Sequence, residues 1–79
     1  MATVRYFAAA AEAAGAQEER VGADSLGELL EQLEERHGAE LGRVLARSSL
    51  LFEGRYVDDR ETPLDGDAVV DVLPPFAGG

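Results

Sequence analysis

The clearest chemical pattern in the chain lies in its last six residues, Pro74-Pro75-Phe76-Ala77-Gly78-Gly79. Paired prolines cannot donate to a β-sheet ladder and hold the backbone near polyproline II, so they end a strand and direct the chain away from it. Gly78 and Gly79 have no side chains, which lets a carboxylate that follows them enter a narrow slot. The pattern predicts a flexible tail over 74–79 whose carboxylate another protein handles. A frayed chain end is the alternative, and the apolar strand before the prolines argues against it.

Length and composition exclude several classes of function. A chain of 79 residues has room for one small domain, and we place that domain at 1–73. The absence of cysteine excludes disulfides, iron–sulfur clusters and thiolate zinc sites, and we expect no bound metal. The net charge of −9 argues against nucleic acid and anionic membranes and favours a partner with a basic face. No signal peptide or membrane span is visible, so the expected location is cytoplasmic.

Every cationic side chain in the sequence is an arginine, and there is no lysine. If the terminal carboxylate is activated as an acyl intermediate, the chain offers almost no amine that could attack it. A coding bias toward Ala, Gly, Glu and Arg explains the same observation, and we favour that simpler explanation. In either case the protein cannot build chains on its own lysines.

The first quarter of the sequence predicts two strands around a short helix. Residues 3–7 alternate with period two, so Val4 and Tyr6 face the core and Phe7 faces outward. The alanine-rich segment 8–14 predicts a helix of one or two turns that Gly15 caps. Residues 17–22 are a weaker strand candidate that would form a hairpin with the first strand.

The main helix begins after Ser25, which forms a capping box with Glu28, and it ends at Gly38. Its apolar stripe is more simply a core face than a cofactor site and comprises Leu26, Leu29, Leu30, Leu33 and His37. The opposite, acidic face is expected to be solvated. His37 is the only histidine, so it offers no constellation for a metal or a catalytic triad.

The second half predicts a short helix followed by three strands. Leu41, Val44 and Leu45 indicate a further helical turn or two over the same core. Residues 50–52 and 55–57 are short strands around a tight turn at Glu53-Gly54. A polar, turn-rich connection over 58–66 leads to the last strand, 67–73. The final strand directs Val70 and Val72 inward and Val69, Asp71 and Leu73 outward.

This order of elements predicts an α+β domain with the ubiquitin-like β-grasp fold. A strand pair stands at each end of the chain, with the main helix between the pairs. We expect a mixed sheet of four to five strands with one main helix packed on one face. The first and last strands would then lie side by side, close to where the tail begins.

The sequence resembles the MoaD/ThiS family of ubiquitin-like sulfur carriers. The resemblance rests on Val4-Arg5-Tyr6-Phe7-Ala8, on Pro63-Leu64 followed by Gly66-Asp67, and above all on the segment 73–79. It spans essentially the whole chain and is closest to the small, sulfur-carrying subunit of molybdopterin synthase.

The resemblance implies a role as a carried substrate more than as a catalyst. Gly79, with Gly78 before it, would be adenylated by an E1-like adenylyltransferase/sulfurtransferase that binds ATP and Mg, and then converted to a thiocarboxylate. This chain would bind no cofactor itself, and no phosphate-binding loop is present. The tail would then enter the large subunit of molybdopterin synthase, so the chain is the small subunit of a sulfurtransferase. The expected partner-binding residues are Phe7, Leu73, Pro74, Pro75, Phe76 and Ala77.

Three other functions share parts of this pattern. A sulfur carrier for thiamine (thiazole) or cysteine biosynthesis would have the same fold and Gly78-Gly79. A ubiquitin-like protein modifier would use the same activation and transfer Gly79 to lysines of other proteins. A plain β-grasp interaction module would need no free terminus.

Overall fold

A five-stranded mixed sheet with helices on one side organises the chain, as seen in a computed structural model that describes residues 1–75. The elements in chain order are β1 (Ala2–Tyr6), α1 (Ala9–Ala14), β2 (Glu18–Val21), α2 (Leu26–His37), α3 (Ala39–Arg47), β3 (Ser49–Phe52), β4 (Arg55–Tyr56) and β5 (Val69–Leu73).

The strand order in the sheet is β2-β1-β5-β3-β4. The first and last strands pair in parallel, with Thr3 opposite Val69 and Tyr6 opposite Val72. The other pairings, β1 with β2, β3 with β5 and β3 with β4, are antiparallel. This topology confirms the predicted ubiquitin-like β-grasp fold, including the adjacency of the first and last strands.

The core lies between the sheet and the helices, and strand alternation determines which residues enter it. Val70 and Val72 of β5 are fully buried and Val69 is exposed, which confirms the predicted orientation of the last strand. Val4 and Tyr6 of β1 are likewise buried. The helices contribute four fully buried leucines, Leu26, Leu29, Leu33 and Leu41.

The last strand begins at Val69, two residues later than the predicted Asp67. The reason is a turn that Asp65 stabilises. Its carboxylate accepts a hydrogen bond from Asp67 N (2.9 Å), and its carbonyl accepts one from Ala68 N (3.3 Å). An Asx turn of this kind holds the backbone out of the extended conformation.

The N-terminus of α2 is capped as the sequence predicts and is also clamped by a distant loop. Ser25 Oγ accepts a hydrogen bond from Glu28 N (3.2 Å). The amides of Leu26 and Gly27, which have no partner within the helix, donate to Thr62 O (2.9 Å) and Arg60 O (2.8 Å). The 60–62 loop therefore completes the cap from the other half of the chain.

Positive φ angles mark the turn between β3 and β4 and the bend just beyond β1. Glu53 (φ 52°) and Gly54 (φ 77°) form the predicted tight turn between β3 and β4, because a two-residue hairpin of this hand needs positive φ at both positions. Ala8, immediately after Phe7, also has positive φ (52°), which is strained for a residue with a Cβ. The chain therefore bends sharply just beyond β1.

Within residues 1–75, no helix is both long enough and apolar enough to cross a membrane.

Candidate docking face and carrier tail

The face of the sheet that carries no helix presents a continuous row of side chains across all five strands. The pairing registers place Arg5 of β1 between Glu18 of β2 and Asp71 of β5. Asp71 is in turn opposite Leu51 of β3, which is opposite Tyr56 of β4. One half of the row is therefore charged and the other half is apolar and aromatic. We call the whole surface the open face.

A bidentate ion pair occupies the centre of the open face. Arg5 Nε donates to Asp71 Oδ1 (2.6 Å) and Arg5 Nη2 donates to Asp71 Oδ2 (2.9 Å). The Arg5 side chain is 51% exposed and that of Asp71 is 13% exposed, so the arginine lies over the carboxylate. The hydrogen bond and the charge of Asp71 raise the pKa of Arg5 above its ordinary value.

Apolar side chains surround this ion pair. Phe7 is 42% exposed and Tyr56 is 74% exposed, which is unusual for aromatic side chains of a small domain. Leu51 and Leu73 are half-buried on the same face. Exposed apolar surface that is contiguous and rimmed by charge is typical of protein–protein contact sites.

The tail leaves the sheet beside Phe7. Phe7 N donates to Val72 O (3.2 Å), which continues the β1–β5 pairing by one residue beyond β1. Leu73 lies opposite Ser49 on the other side of β5. The structure therefore brings Phe7 and Leu73 together at the end of the sheet from which the tail departs.

The predicted site residues of the tail itself have different surroundings. Pro74 is buried and Pro75 is exposed, so of the two prolines only Pro75 is available to a partner in the free chain. The remaining predicted residues, Phe76, Ala77, Gly78 and Gly79, lie outside the described part of the chain.

On the helix side, a polar cluster joins β1, β2 and α2. Tyr6 Oη donates to Glu19 Oε1, and His37 Nε2 lies 2.6 Å from the same oxygen. Because an ionised carboxylate can only accept, His37 Nε2 carries the proton in this contact. The Tyr6 and His37 rings meet edge to face with centroids 6.3 Å apart, and Arg36 Nη1 lies 3.5 Å from Glu19 Oε2.

The cluster shifts the pKa values of Glu19 and Tyr6 in opposite directions. Burial alone would raise the pKa of Glu19, but the hydrogen bonds of Tyr6 and His37 and the charges of His37 and Arg36 outweigh it and hold that pKa below its ordinary value. Burial and the hydrogen bond to Glu19 raise the pKa of the Tyr6 phenol. Tyr6, His37 and Arg36 all direct their polar groups at Glu19 and so tie β1, β2 and α2 together, and we interpret the cluster as structural.

Sequence reasoning missed the contribution of Tyr56, Leu51 and the Arg5–Asp71 pair to the open face. Successive side chains of a strand point to opposite faces of the sheet. If Val57 points toward the core, its neighbour Tyr56 must point to the open face, and this signal was present in the sequence. The ion pair joins residues 66 positions apart, and only the parallel pairing of β1 and β5 reveals it.

In residues 1–75, no three His, Cys, Asp or Glu side chains are grouped as a metal site.

The sheet order, the helices on one side and the solved structures most like this one define a ubiquitin-like β-grasp protein. The model of the ThiS family matches residues 4–79, and the chain belongs to that family. No curated protein is similar enough to the chain to be matched with it.

Several solved structures match the chain along nearly its full length. The small archaeal modifier protein SAMP1 from Haloferax volcanii is 25% identical with a TM-score of 0.84, over 99% of this chain and 98% of that one. The putative molybdopterin converting factor subunit 1 from Pyrococcus furiosus is 27% identical with a TM-score of 0.82, over 95% and 97%. A chain in the protein–protein complex of subunits 1 and 2 of the molybdopterin-converting factor from Helicobacter pylori 26695 is 27% identical with a TM-score of 0.75, over 99% and 97%.

Proposed function

We propose that this protein is the sulfur carrier subunit of a molybdopterin synthase and acts in the cytoplasm. The observation that carries the proposal is the family match, which runs from β1 through the Gly78-Gly79 pair. The similarity to molybdopterin converting factor subunit 1 from two organisms supports this pathway within the family. The exposed apolar surface beside the tail exit supports a protein that is handed between partners.

The chemistry of the proposal takes place at the Gly79 carboxylate. A carboxylate oxygen attacks the α-phosphorus of ATP on an E1-like activating enzyme, with Mg bound there, and pyrophosphate leaves. The terminal sulfur of a persulfide then attacks the acyl carbon and expels AMP. A second thiol of the sulfur donor breaks the resulting S–S bond, which leaves a thiocarboxylate on Gly79 and a disulfide on the donor. The sulfur comes from outside, because this chain has no cysteine.

The thiocarboxylate is then delivered to the large subunit of molybdopterin synthase, which holds the pterin precursor. Phe7 and Leu73, at the tail exit, make the first contacts with this partner, and Pro75 and Phe76 extend them along the tail. Paired prolines lower the entropy lost when the tail is ordered, because their φ angles are already fixed. The two glycines then allow the acyl carbon to approach the precursor closely.

A second candidate is a ubiquitin-like modifier whose Gly79 is transferred to lysines of other proteins. The similarity to SAMP1 favours it, because SAMP1 is a small archaeal modifier protein. Sulfur carriers for thiamine or cysteine biosynthesis share the activation step with both. The carrier candidates therefore differ in the acceptor of the sulfur, whereas the modifier transfers the glycyl carbonyl itself to a lysine amine.

Intact-mass spectrometry after incubation with the activating enzyme, ATP and a persulfide donor tests the proposal. We expect the mass increase that replaces one oxygen by sulfur, and its loss when the pterin precursor and the large subunit are added. Deleting Gly79, or adding one alanine after it, should abolish the mass increase while the thermal unfolding midpoint stays the same, because a chain end of this kind contributes little to packing.

The matched control for that deletion is Gly15→Ala, a glycine change at the C-cap of α1. The substitution forces a residue with a Cβ into the left-handed conformation of Gly15 (φ 72°), so the unfolding midpoint should fall. Because the tail is intact, the mass increase should remain. Gly-Gly remnants on lysines of other proteins would favour the modifier. Full activity with an added C-terminal residue would contradict all the carrier candidates.

A further inference from the structure

The centre of the open face is polar although its surroundings are apolar. On β1 and β5, the Arg5–Asp71 pair lies between Val69 on one side and the Phe7 and Leu73 pair on the other. Leu51 flanks Asp71 on the next strand. A partner that covers the apolar residues must therefore also cover the ion pair.

Covering the pair has a cost that depends on the partner. A guanidinium has five N–H donors, and Asp71 accepts from Nε and from one N–H of Nη2. Among residues 1–75 the structure shows no other hydrogen-bond acceptor for Arg5, so the remaining three donors face water. A wholly apolar partner would remove that water and leave charged donors unsatisfied, which is strongly unfavourable.

The charges near Arg5 indicate what the partner must supply. Asp71 and Glu18 stand on either side of Arg5 in the row, so the guanidinium is already flanked by two carboxylates. A third carboxylate from a partner would add like charge in a desolvated site. A neutral carbonyl oxygen satisfies the donors without that repulsion.

We propose that Arg5, held in place by Asp71, is the specificity-determining residue of the open face and selects an activating enzyme that presents a carbonyl oxygen opposite it. This inference rests on the proposed function, since it assigns the activating enzyme as the occupant of the face. The enzyme contributes apolar side chains opposite Leu51 and Tyr56 and the carbonyl oxygen opposite the guanidinium. The open face ends where the tail begins, so an enzyme bound to this face lies at the start of the segment that leads to the activated group.

The test compares the parent with Arg5→Met and with the double variant Arg5→Met/Asp71→Leu. The single variant leaves Asp71 without its partner in a mostly covered position, so its unfolding midpoint should fall. The double variant removes both charges and should regain the midpoint, because apolar replacement of an ion pair is often neutral. Arg43→Met, an exposed change on α3 with the same loss of charge, is the matched control.

The readout is ATP–pyrophosphate exchange by the activating enzyme encoded in the same genome. The KM for the double variant should rise roughly 10- to 100-fold with kcat unchanged, as expected for losing hydrogen bonds to a charged group. Arg43→Met should leave the KM within about twofold of the parent, because surface charge distant from the contact has a small effect. The ratio of the double variant's KM to the parent's KM should change little with salt concentration, because the carbonyl oxygen opposite Arg5 is neutral.

Each other result has a definite meaning. An unchanged KM for the double variant overturns the role of Arg5. A KM ratio that falls steeply with salt overturns the carbonyl assignment and identifies a carboxylate. Normal activation together with lost binding to the large subunit overturns the choice of occupant. If the parent itself is never activated while correctly folded, the proposed function fails, and the inference fails with it.

Discussion

The Glu19 cluster makes the stability of the domain depend on the charge of one carboxylate. Glu19→Gln keeps the size and one carbonyl acceptor of the side chain but removes its charge. The contacts from Tyr6 and His37 then become neutral hydrogen bonds or are lost. Hydrogen bonds to charged groups contribute about 1.5–3 kcal/mol and neutral ones about 0.5–1.5, so we expect the free energy of unfolding at pH 7 to fall by about 1–2 kcal/mol.

The direction of the Glu19 pKa shift determines how its contribution to stability changes with pH. The pKa of Glu19 is lower in the folded chain than its ordinary value of 4.5, so the unfolded chain binds the proton more tightly. The stabilisation from Glu19 is therefore fully present above the unfolded pKa and is lost as the pH falls through the folded pKa. In the Gln variant this loss cannot occur. The difference in free energy of unfolding between the parent and Glu19→Gln should therefore shrink steadily as the pH falls below about 5.

Urea unfolding at pH 7, 5, 4 and 3, followed by circular dichroism, measures the difference in free energy of unfolding. Glu35→Gln is the matched control, because Glu35 is exposed on α2 and its loss changes the net charge equally. A strongly acidic chain is stabilised slightly by losing any negative charge, and the control measures that effect. Equal results for the two variants, or a Glu19 effect that is independent of pH, would refute the cluster as described.

The remaining predictions separate the core from the open face. Leu33→Ala truncates a fully buried side chain of α2 and should lower the free energy of unfolding, measured by denaturant titration, by about 2–5 kcal/mol. An unchanged midpoint would mean that α2 presents another face to the sheet. Phe7→Ala should instead weaken binding to the large synthase subunit by about 1–3 kcal/mol in calorimetry, with little loss of stability, because the side chain is substantially exposed. Lost stability with unchanged affinity would place the docking surface elsewhere.

Much of the fold is predictable from the sequence because its local signals agree with one another. The alternation of Val70 and Val72 with Val69 and Asp71 fixes the faces of β5. Ser25 and Gly38 mark the limits of α2 by capping chemistry that needs no tertiary information. The predicted strand boundaries differ from the observed ones by one or two residues, and the two-residue difference at β5 follows from the turn at Asp65.

Most of the interactions that the sequence does not reveal join residues distant in the chain. His37 reaches Glu19 across 18 positions, and its contact depends on how α2 crosses β2. The carbonyls of Arg60 and Thr62 complete the cap of α2, although nothing local in the 60–62 loop indicates it. Periodicity assigns a residue to a face, whereas its partner on that face is decided by packing.

The register of β5 connects stability, docking and delivery in one strand. Its helix-side residues Val70 and Val72 belong to the core, its open-face residue Asp71 holds Arg5, and its end leads into the tail. A slip of one residue would bring Asp71 into the core and Val70 and Val72 onto the open face. Pairing with β1 on one side and β3 on the other prevents that slip. The two central pairings of the sheet therefore set both the polarity of the docking face and the point at which the tail departs.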